Sequence, residues 1–204
     1  MKSIAEQILE ELKQHDAGWC FSPKDFLTMA GRDALDKAFS RLTKEGAIRR
    51  VGRGLYDVPR YSDLLKTTLG TDPKQIAQAI ARKHGWRIVP TGANAANQLH
   101  LSTQVPGKIY YLSDGPTKTM DISGFHLFFK HRAPKDLKGA PMSALAIQAL
   151  KYFGKERVDA AMLRKIQELL TPEQRQQLLK DTRFATDWVC EAAQRIATEG
   201  GCDE

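Results

Sequence analysis

Basic side chains between residues 32 and 53 are the ones whose types and spacing predict chemistry. From Arg41 to Arg53 the chain carries five Lys or Arg residues and one acidic residue, a net charge of +4 in thirteen residues. Guanidinium and ammonium groups neutralise phosphates, and this term supplies most of the affinity of proteins for nucleic acid. The segment therefore predicts a surface that binds a polyanion.

Two predicted helices precede the most basic part of this segment. Ser22 can cap a helix and Pro23 suits its first position, so a short helix is predicted over residues 22–29. A second helix is predicted over residues 32–45, because apolar residues recur on one face at i, i+4 and i+7. Gly46 follows it, where a left-handed residue would end the helix.

A tight hairpin is predicted directly after the second helix. Residues 47–51 and 55–58 read as two short strands, and Gly52-Arg53-Gly54 reads as the turn between them. The glycines would let the backbone turn and present Arg53 at the tip. Helix, turn, helix and hairpin in this order predict a winged helix-turn-helix, a fold that places its second helix in the major groove of DNA.

The predicted DNA-binding residues lie beside the apolar stripe of the second helix or in the hairpin, where the arginines are expected to be exposed. They are Arg32, Lys37, Ser40, Arg41, Lys44, Arg49, Arg50 and Arg53. Phosphate contact is expected for the hairpin arginines. The same architecture also occurs as a protein-docking module, and that alternative stays open at this point.

The remainder of the chain predicts an α+β protein of two parts. Residues 1–60 form the winged helix-turn-helix, residues 61–70 a connector, and residues 71–200 a mixed α/β domain that is helical from about residue 141. Three predicted strands, at residues 108–113, 117–122 and 125–130, suggest a small antiparallel sheet in the form of a β-meander.

Charge is unevenly distributed along the chain. The net charge is +7, of which residues 61–140 alone contribute +6. This middle region would extend a DNA surface or meet an acidic or RNA-bearing partner.

The cysteines and the apolar segments bear on location. Cys20, Cys190 and Cys202 are widely separated and form no Cys-x-x-Cys pair, so neither a zinc site nor a disulfide framework is predicted. The sequence shows no signal peptide and no membrane-spanning run, which predicts a cytoplasmic protein without a membrane partner.

Catalytic motifs are absent from the sequence. There is no Gly-x-Ser-x-Gly elbow, phosphate loop or His-Glu-x-x-His motif, so we predict no enzyme, no cofactor and no metal site. The polar stretch from residue 91 to 104 could line a small ligand pocket, or its side chains could cap helices and hydrogen-bond within their own loop. Its candidate residues are Thr91, Asn94, Asn97, Ser102 and Gln104.

Two stretches of the sequence resemble a known family. The first is Arg53-Gly54-Leu55-Tyr56-Asp57-Val58-Pro59. The second begins Gly85-Trp86-Arg87-Ile88-Val89-Pro90-Thr91-Gly92 and continues through Asn97-Gln98-Leu99, Leu101-Ser102-Thr103-Gln104-Val105-Pro106 and Tyr110-Tyr111-Leu112-Ser113-Asp114-Gly115. Together they resemble the AbiEi-like antitoxins of bacterial type IV (abortive-infection) toxin–antitoxin systems, over roughly residues 1–135. His100 departs from the pattern, because a glycine is expected there.

The resemblance implies a function that residue spacing does not. Such antitoxins bind and repress their own promoter through the winged helix, and they counter a nucleotidyltransferase-like toxin, acting on its activity or its target. The expected partners are therefore double-stranded promoter DNA and a toxin or its target. A protein- or RNA-binding module, and a stand-alone regulator without a toxin, remain the alternatives.

Overall fold

The structure is a computed structural model that describes residues 2–104, 107–183 and 185–198. Val105, Pro106 and Cys202, named above, lie outside these ranges. The described chain is a mixed α+β protein, as predicted. Its eight α-helices are α1 (Ile4–Leu12), α2 (Arg32–Lys44), α3 (Pro73–His84), α4 (Ala93–Gln98), α5 (Pro141–Phe153), α6 (Ala160–Leu169), α7 (Pro172–Thr182) and α8 (Asp187–Thr198).

Nine short strands fall into three sheets among the described residues. They are β1 (Cys20–Phe21), β2 (Arg49–Gly52), β3 (Leu55–Asp57), β4 (Tyr61–Ser62), β5 (Thr67–Thr68), β6 (Ile88–Pro90), β7 (Lys108–Ser113), β8 (Lys118–Ile122) and β9 (Phe125–His131). The sheets have the strand orders β1-β3-β2, β4-β5 and β6-β7-β9-β8. The predicted connector, residues 61–70, thus contains a small hairpin of its own.

The chain divides into two compact units, but not at the predicted position. Unit 1 comprises Met1–Trp86 with Met120–Phe125, and unit 2 comprises Arg87–Thr119 with His126–Glu204. The predicted first domain ended at residue 60. Helix α3 extends unit 1 because it packs against β1, β3 and the turn that precedes α2.

Unit 1 has its own apolar core, in which α1 and α2 pack together. Ser3 caps α1 with a reciprocal capping box to Glu6, as the sequence pattern predicts. Buried Leu35, Phe39 and Leu42 confirm the apolar face of α2. They pack with the side chains of α1, Phe21, Phe26 and Ile48.

The predicted helix over residues 22–29 is wrong in type and length. Only Pro23–Phe26 form a single 3₁₀ turn, followed by turns that lead to Gly31. The Asp25 carboxylate accepts hydrogen bonds from both the backbone N–H and the hydroxyl of Ser22, at 2.8 and 3.1 Å. These bonds close one turn without needing a longer helix.

The sheet of β6 to β9 is mixed, so the predicted β-meander is wrong although its three strands are present. β7 pairs in parallel with β9, and β8 lies at the outer edge. Burial explains the order. β7 and β9 each carry two buried apolar side chains, whereas β8 carries none. The two apolar strands therefore take the interior positions.

The helices of unit 2 form a second core from α4, α5, α6, α7 and α8. α5 begins at Pro141, which agrees with the predicted start of the helical part at about residue 141, and Thr171 caps α7 with a capping box to Gln174. α6 begins at Ala160, because the Asp159 carboxylate caps it through the backbone N–H of Met162 at 2.8 Å.

Candidate nucleic-acid interface

The exposed side of α2 carries two stripes of polar side chains. Residues 32, 36, 40 and 43 follow one another at helical spacing and face the β2–β3 hairpin, where they line a cleft. Lys37 and Arg41 are exposed on the neighbouring stripe and do not line it. The sequence-predicted helix residues are therefore all exposed, but they present two different surfaces.

The β2–β3 hairpin forms the opposite wall of the cleft. Arg50 and Arg53 are exposed and line it. The register shifts between Arg50 and Gly52, which is the mark of a β-bulge at the end of β2. Gly54 has φ of +64°, a left-handed conformation that other residues adopt only at a cost. The Gly52-Arg53-Gly54 turn thus holds an arginine at the tip, as predicted.

Other parts of unit 1 hold this hairpin in place. The hydroxyl of Ser123 donates to the carbonyl of Val51 at 2.9 Å. Ile122 fills the space beside Gly52, where an added Cβ would lie 3.2 Å from its side chain. Lys83, at the end of α3, donates from Nζ to the carbonyl of Arg53 at 3.0 Å. The tip is therefore supported from two sides.

We call the space between α2 and the hairpin the α2–hairpin cleft. Its volume is about 530 Å³. The lining residues are Arg32, Asp36, Ser40, Thr43, Lys44, Arg50, Arg53, Gly54, Tyr56 and Lys83. Five of them are cationic and one is acidic, so the cleft carries a net charge of +4. A cationic cleft of this kind attracts the phosphates of a nucleic acid.

Some of these cations already have a carboxylate neighbour. Arg32 donates from Nε to Asp36 at 2.9 Å, and Arg41 donates to Glu45 at 2.8 Å. Both are exposed pairs four residues apart, which contribute little to stability. The hydrogen bond that Arg32 donates to Asp36 raises the pKa of Arg32, so the guanidinium stays charged. A phosphate could replace the carboxylate on either guanidinium at small cost.

Arg49 is a predicted site residue that does not line the α2–hairpin cleft. Its guanidinium donates to both oxygens of the fully buried Asp57 carboxylate, at 3.0 and 2.6 Å. It also donates to the carbonyl of Leu69 and the hydroxyl of Thr71, both at 3.1 Å. The expectation that Arg49 is exposed is wrong, because this side chain neutralises a buried charge.

Lys83 lines the cleft but is not among the residues predicted from the sequence. It lies thirty residues after Arg53 in a helix that was predicted to belong to another domain. Nothing local in the sequence brings α3 to the hairpin. The basic run Arg82-Lys83-His84 at the end of α3 was the available signal, but the macrodipole of the helix accounts for it equally well.

The polar stretch from Thr91 to Gln104 is divided between two roles. Asn97 donates to the carbonyls of Ser102 and Gln104, both at 3.2 Å, and so holds its own loop together. Thr91 and Asn94 line a groove in unit 2, whereas Ser102 and Gln104 line a smaller cleft. The single pocket considered for these five residues is therefore not formed.

Cys20 and the possible metal ligands can be described from their surroundings. Burial raises the pKa of the Cys20 thiol to about 12, which leaves it protonated and unreactive at neutral pH. Within residues 2–104, 107–183 and 185–198, no three His, Cys, Asp or Glu side chains are grouped as metal ligands would be. In the same ranges no helix combines the length and the hydropathy needed to cross a membrane.

Comparison with known proteins places the chain in a family. The model of a family of unknown function, DUF6088, matches residues 7–178. The chain belongs to this family. No curated protein matches the sequence. A similar solved structure is the crystal structure of the RV2827C protein from Mycobacterium tuberculosis. It is 16% identical, has a TM-score of 0.44, and the alignment covers 98% of this chain and 78% of that one.

Proposed function

We propose that this DUF6088 protein is a winged-helix repressor that binds double-stranded DNA at its own promoter. The observation that carries the proposal is the α2–hairpin cleft, in which cations from a helix and from a hairpin converge. The order α1, β1, 3₁₀ turn, α2, β2, β3, with the sheet order β1-β3-β2, supports a winged helix. In this reading α2 is the recognition helix and the β2–β3 hairpin is the wing.

The geometry suggests how the duplex would be held. With α2 in the major groove, the sugar–phosphate strand that borders the groove would enter the cleft. Arg50 and Arg53 would contact its phosphates from the hairpin side, and Lys44 from the helix side. Lys37 and Arg41, on the outer stripe of α2, are left to face base edges or the opposite strand. Phosphate contacts then set the position, and α2 supplies the sequence preference.

A binding titration tests this proposal. Labelled duplex from upstream of the gene is compared with a scrambled duplex by fluorescence anisotropy, at about 50 and 200 mM salt. We expect preferential binding of the upstream duplex that weakens steeply with salt. The variant Arg50→Glu/Arg53→Glu should lose roughly 100-fold in affinity, because two charged hydrogen bonds become two repulsions.

A matched variant controls for net charge. Lys13→Glu/Lys66→Glu changes the charge of unit 1 by the same amount at exposed positions outside the cleft. It should bind within about threefold of the wild type, because charges beyond a Debye length are screened. Equal binding of both duplexes, or equal loss in the two variants, would overturn the proposal and favour a protein-docking role for the winged helix.

The antitoxin part of the proposal rests on the sequence resemblance to AbiEi-like proteins. It predicts that a neighbouring gene encodes a nucleotidyltransferase-like toxin whose growth inhibition this protein relieves. Inducible co-expression of that neighbour with and without this protein, followed by growth, is the test. Unrelieved or absent toxicity would leave a stand-alone regulator.

A further inference from the structure

One face of the unit 2 sheet is apolar and buried, and the other is open. Ile109 and Tyr111 on β7, with Leu127 and Phe129 on β9, are buried. Alternation puts residues 108, 110 and 112 of β7 and residues 126, 128 and 130 of β9 on the opposite face. A sheet face that is exposed to solvent usually carries polar side chains, so exposed aromatic side chains on such a face indicate a possible binding surface.

Two aromatic rings lie side by side in the middle of the open face. Tyr110 and Phe128 are register partners on the parallel strands, and their rings stack with centroids 4.8 Å apart and planes 21° apart. Tyr110 is nevertheless 43% exposed. Phe128 supports one side of the tyrosine ring, so the exposed part of the ring is held ready for a second stacking partner.

Tyr110 lies in a groove that cations surround. The groove has a volume of about 1100 Å³ and runs between the open sheet face, α4, α5 and α7. Its cationic lining residues are Lys108, Lys130, Arg132, Lys138, Lys151 and Lys180, against the single carboxylate of Asp181. The Asp181 carboxylate accepts hydrogen bonds from the backbone N–H of Ala140 and from the Gln177 amide, at 2.8 and 2.9 Å. With six cations and this one carboxylate, the lining carries a net charge of +5.

The lysines of this groove outnumber its one lining carboxylate, Asp181. Among the residues that the structure describes, none of the five forms an ion pair. Five like charges around one concave surface repel one another, and an anionic ligand would relieve that repulsion. Polar groups line the floor, where the Thr91 hydroxyl donates to the Gln148 amide oxygen at 2.9 Å.

We propose that this groove binds single-stranded RNA, with an unpaired base stacked on Tyr110 and the backbone phosphates on the surrounding lysines. A cationic groove with an aromatic platform is the arrangement that single-strand binding proteins use. A duplex fits poorly, because its bases are stacked on one another and present no free face to the tyrosine. The amide and hydroxyl groups of the floor can pair with 2′-hydroxyl groups, which favours RNA over DNA. This proposal does not depend on duplex binding by unit 1.

Stacking and charge are tested with separate variants. The probe is a labelled RNA of about eight nucleotides, as uridine and adenosine homopolymers, measured by fluorescence anisotropy on the full chain. Tyr110→Ala should weaken binding by roughly 5- to 100-fold, and Tyr110→Phe should bind like the wild type because the ring remains. Lys108→Glu/Lys130→Glu should weaken binding by roughly 100-fold.

The control variant is Arg164→Glu/Lys165→Glu, which makes the same charge change in unit 2 at exposed positions of α6 outside the groove. It should retain affinity within about threefold. Circular dichroism establishes that each variant is folded, and upstream duplex affinity, measured in parallel, should be unchanged in the groove variants. The duplex therefore tests the proposal for unit 1, and the single-stranded RNA tests the proposal for the groove of unit 2.

Three results would overturn the proposal. If Tyr110→Ala binds RNA like the wild type, the tyrosine ring is not a stacking platform. If the groove variant and the control variant lose the same affinity, the groove is not the binding site. Equal affinity for DNA of the same length and sequence would overturn the assignment to RNA. Full competition by polyglutamate at matched charge would reassign the groove to an acidic protein.

Discussion

The α2–hairpin cleft of unit 1 and the groove of unit 2 are both cationic, but they are built differently. Three of the five cations in the cleft are arginines, whereas five of the six in the groove are lysines. The cleft has its own acidic residue beside Arg32, and the only aromatic side chain in its lining is the half-buried Tyr56. The groove also has one carboxylate, Asp181, but its lysines form no ion pair among the residues that the structure describes, and Tyr110 is 43% exposed.

Under the two proposals, this difference corresponds to two modes of nucleic-acid binding. Guanidinium groups present a planar fork that matches phosphate and guanine edges, and a rigid hairpin gives that fork a fixed direction. Ammonium groups act as point charges on flexible stems and tolerate many backbone paths. A regular duplex suits the first arrangement. A flexible single strand, fixed at one stacked base, suits the second.

The largest expected effect is the loss of stability on replacing Arg49, which would show that this arginine supports the fold of unit 1. Arg49→Ala leaves the buried Asp57 carboxylate without its cation, although Thr71 still donates to it at 2.7 Å. We expect the free energy of unfolding to fall by roughly 2–4 kcal/mol, the lower part of the range applying because Arg49 is partly exposed. Urea denaturation followed by circular dichroism measures the loss.

Arg50→Ala is the matched control for this prediction, because the next residue along the strand is exposed. It should change stability by no more than about 0.5 kcal/mol while weakening duplex binding. The two neighbours would then separate a supporting arginine from a binding one. Equal stability of both variants would mean that Asp57 does not depend on Arg49.

Exchanging arginine for lysine in the cleft, and lysine for arginine in the groove, tests directly whether the two surfaces bind differently. In the cleft, Arg50→Lys/Arg53→Lys keeps the charge but removes the fork, and we expect about tenfold weaker duplex binding. In the groove, Lys108→Arg/Lys130→Arg should leave single-strand affinity within about threefold, because point charge is what that site uses.

Anisotropy with both probes on both variants gives the four affinities needed. Unchanged duplex binding by the lysine variant would mean that the hairpin supplies charge alone. A large change in single-strand binding by the arginine variant would mean that the groove recognises geometry as well. Either result would remove the distinction between the two surfaces.

Local signals in the sequence predicted most elements, and the errors had both local and non-local causes. The helix predicted over residues 22–29 is a single 3₁₀ turn, and the predicted β-meander is a mixed sheet. The caps of α1, α3 and α7 (Ser3, Asp72 and Thr171) are local signals in the sequence, because a cap acts within one turn. The β-meander failed because alternation defines strands but not their neighbours. Seven of the eight predicted contact residues are exposed, and the exception, Arg49, is retained by Asp57, Leu69 and Thr71, which lie 8 to 22 residues away.

The groove of unit 2 was foreseen only as a basic region. Four of its six cations come from the segment whose net charge is +6, but Lys151 and Lys180 come from helices α5 and α7. No local pattern predicts that these helices meet the open sheet face. The exposed position of Tyr110 also required the parallel pairing of β7 with β9, which the sequence did not reveal.

The smallest expected effect concerns a motif that ends one helix in each unit. α3 in unit 1 and α4 in unit 2 both end in a Schellman motif. The paired bonds run from Gly85 and Trp86 to Arg82 and Ala81 in α3, and from His100 and Leu101 to Asn97 and Ala96 in α4. The left-handed residue is Gly85, with φ of +72°, in the first motif and His100, with φ of +53°, in the second. His100 is the residue that replaces an expected glycine.

Strain at this position predicts opposite outcomes in the two units. Gly85→Ala should lower the free energy of unfolding by about 1 kcal/mol through backbone strain alone, because an added Cβ meets nothing within 4 Å. His100→Gly should raise it by roughly 0.5 kcal/mol, since relief of strain exceeds the added entropy of the unfolded glycine. His100→Ala separates backbone from side chain, because it removes the imidazole but keeps the Cβ and should give no gain. Urea midpoints for the three variants decide the matter, and a gain in His100→Ala equal to that in His100→Gly would show that the imidazole, not the left-handed backbone, is what costs stability.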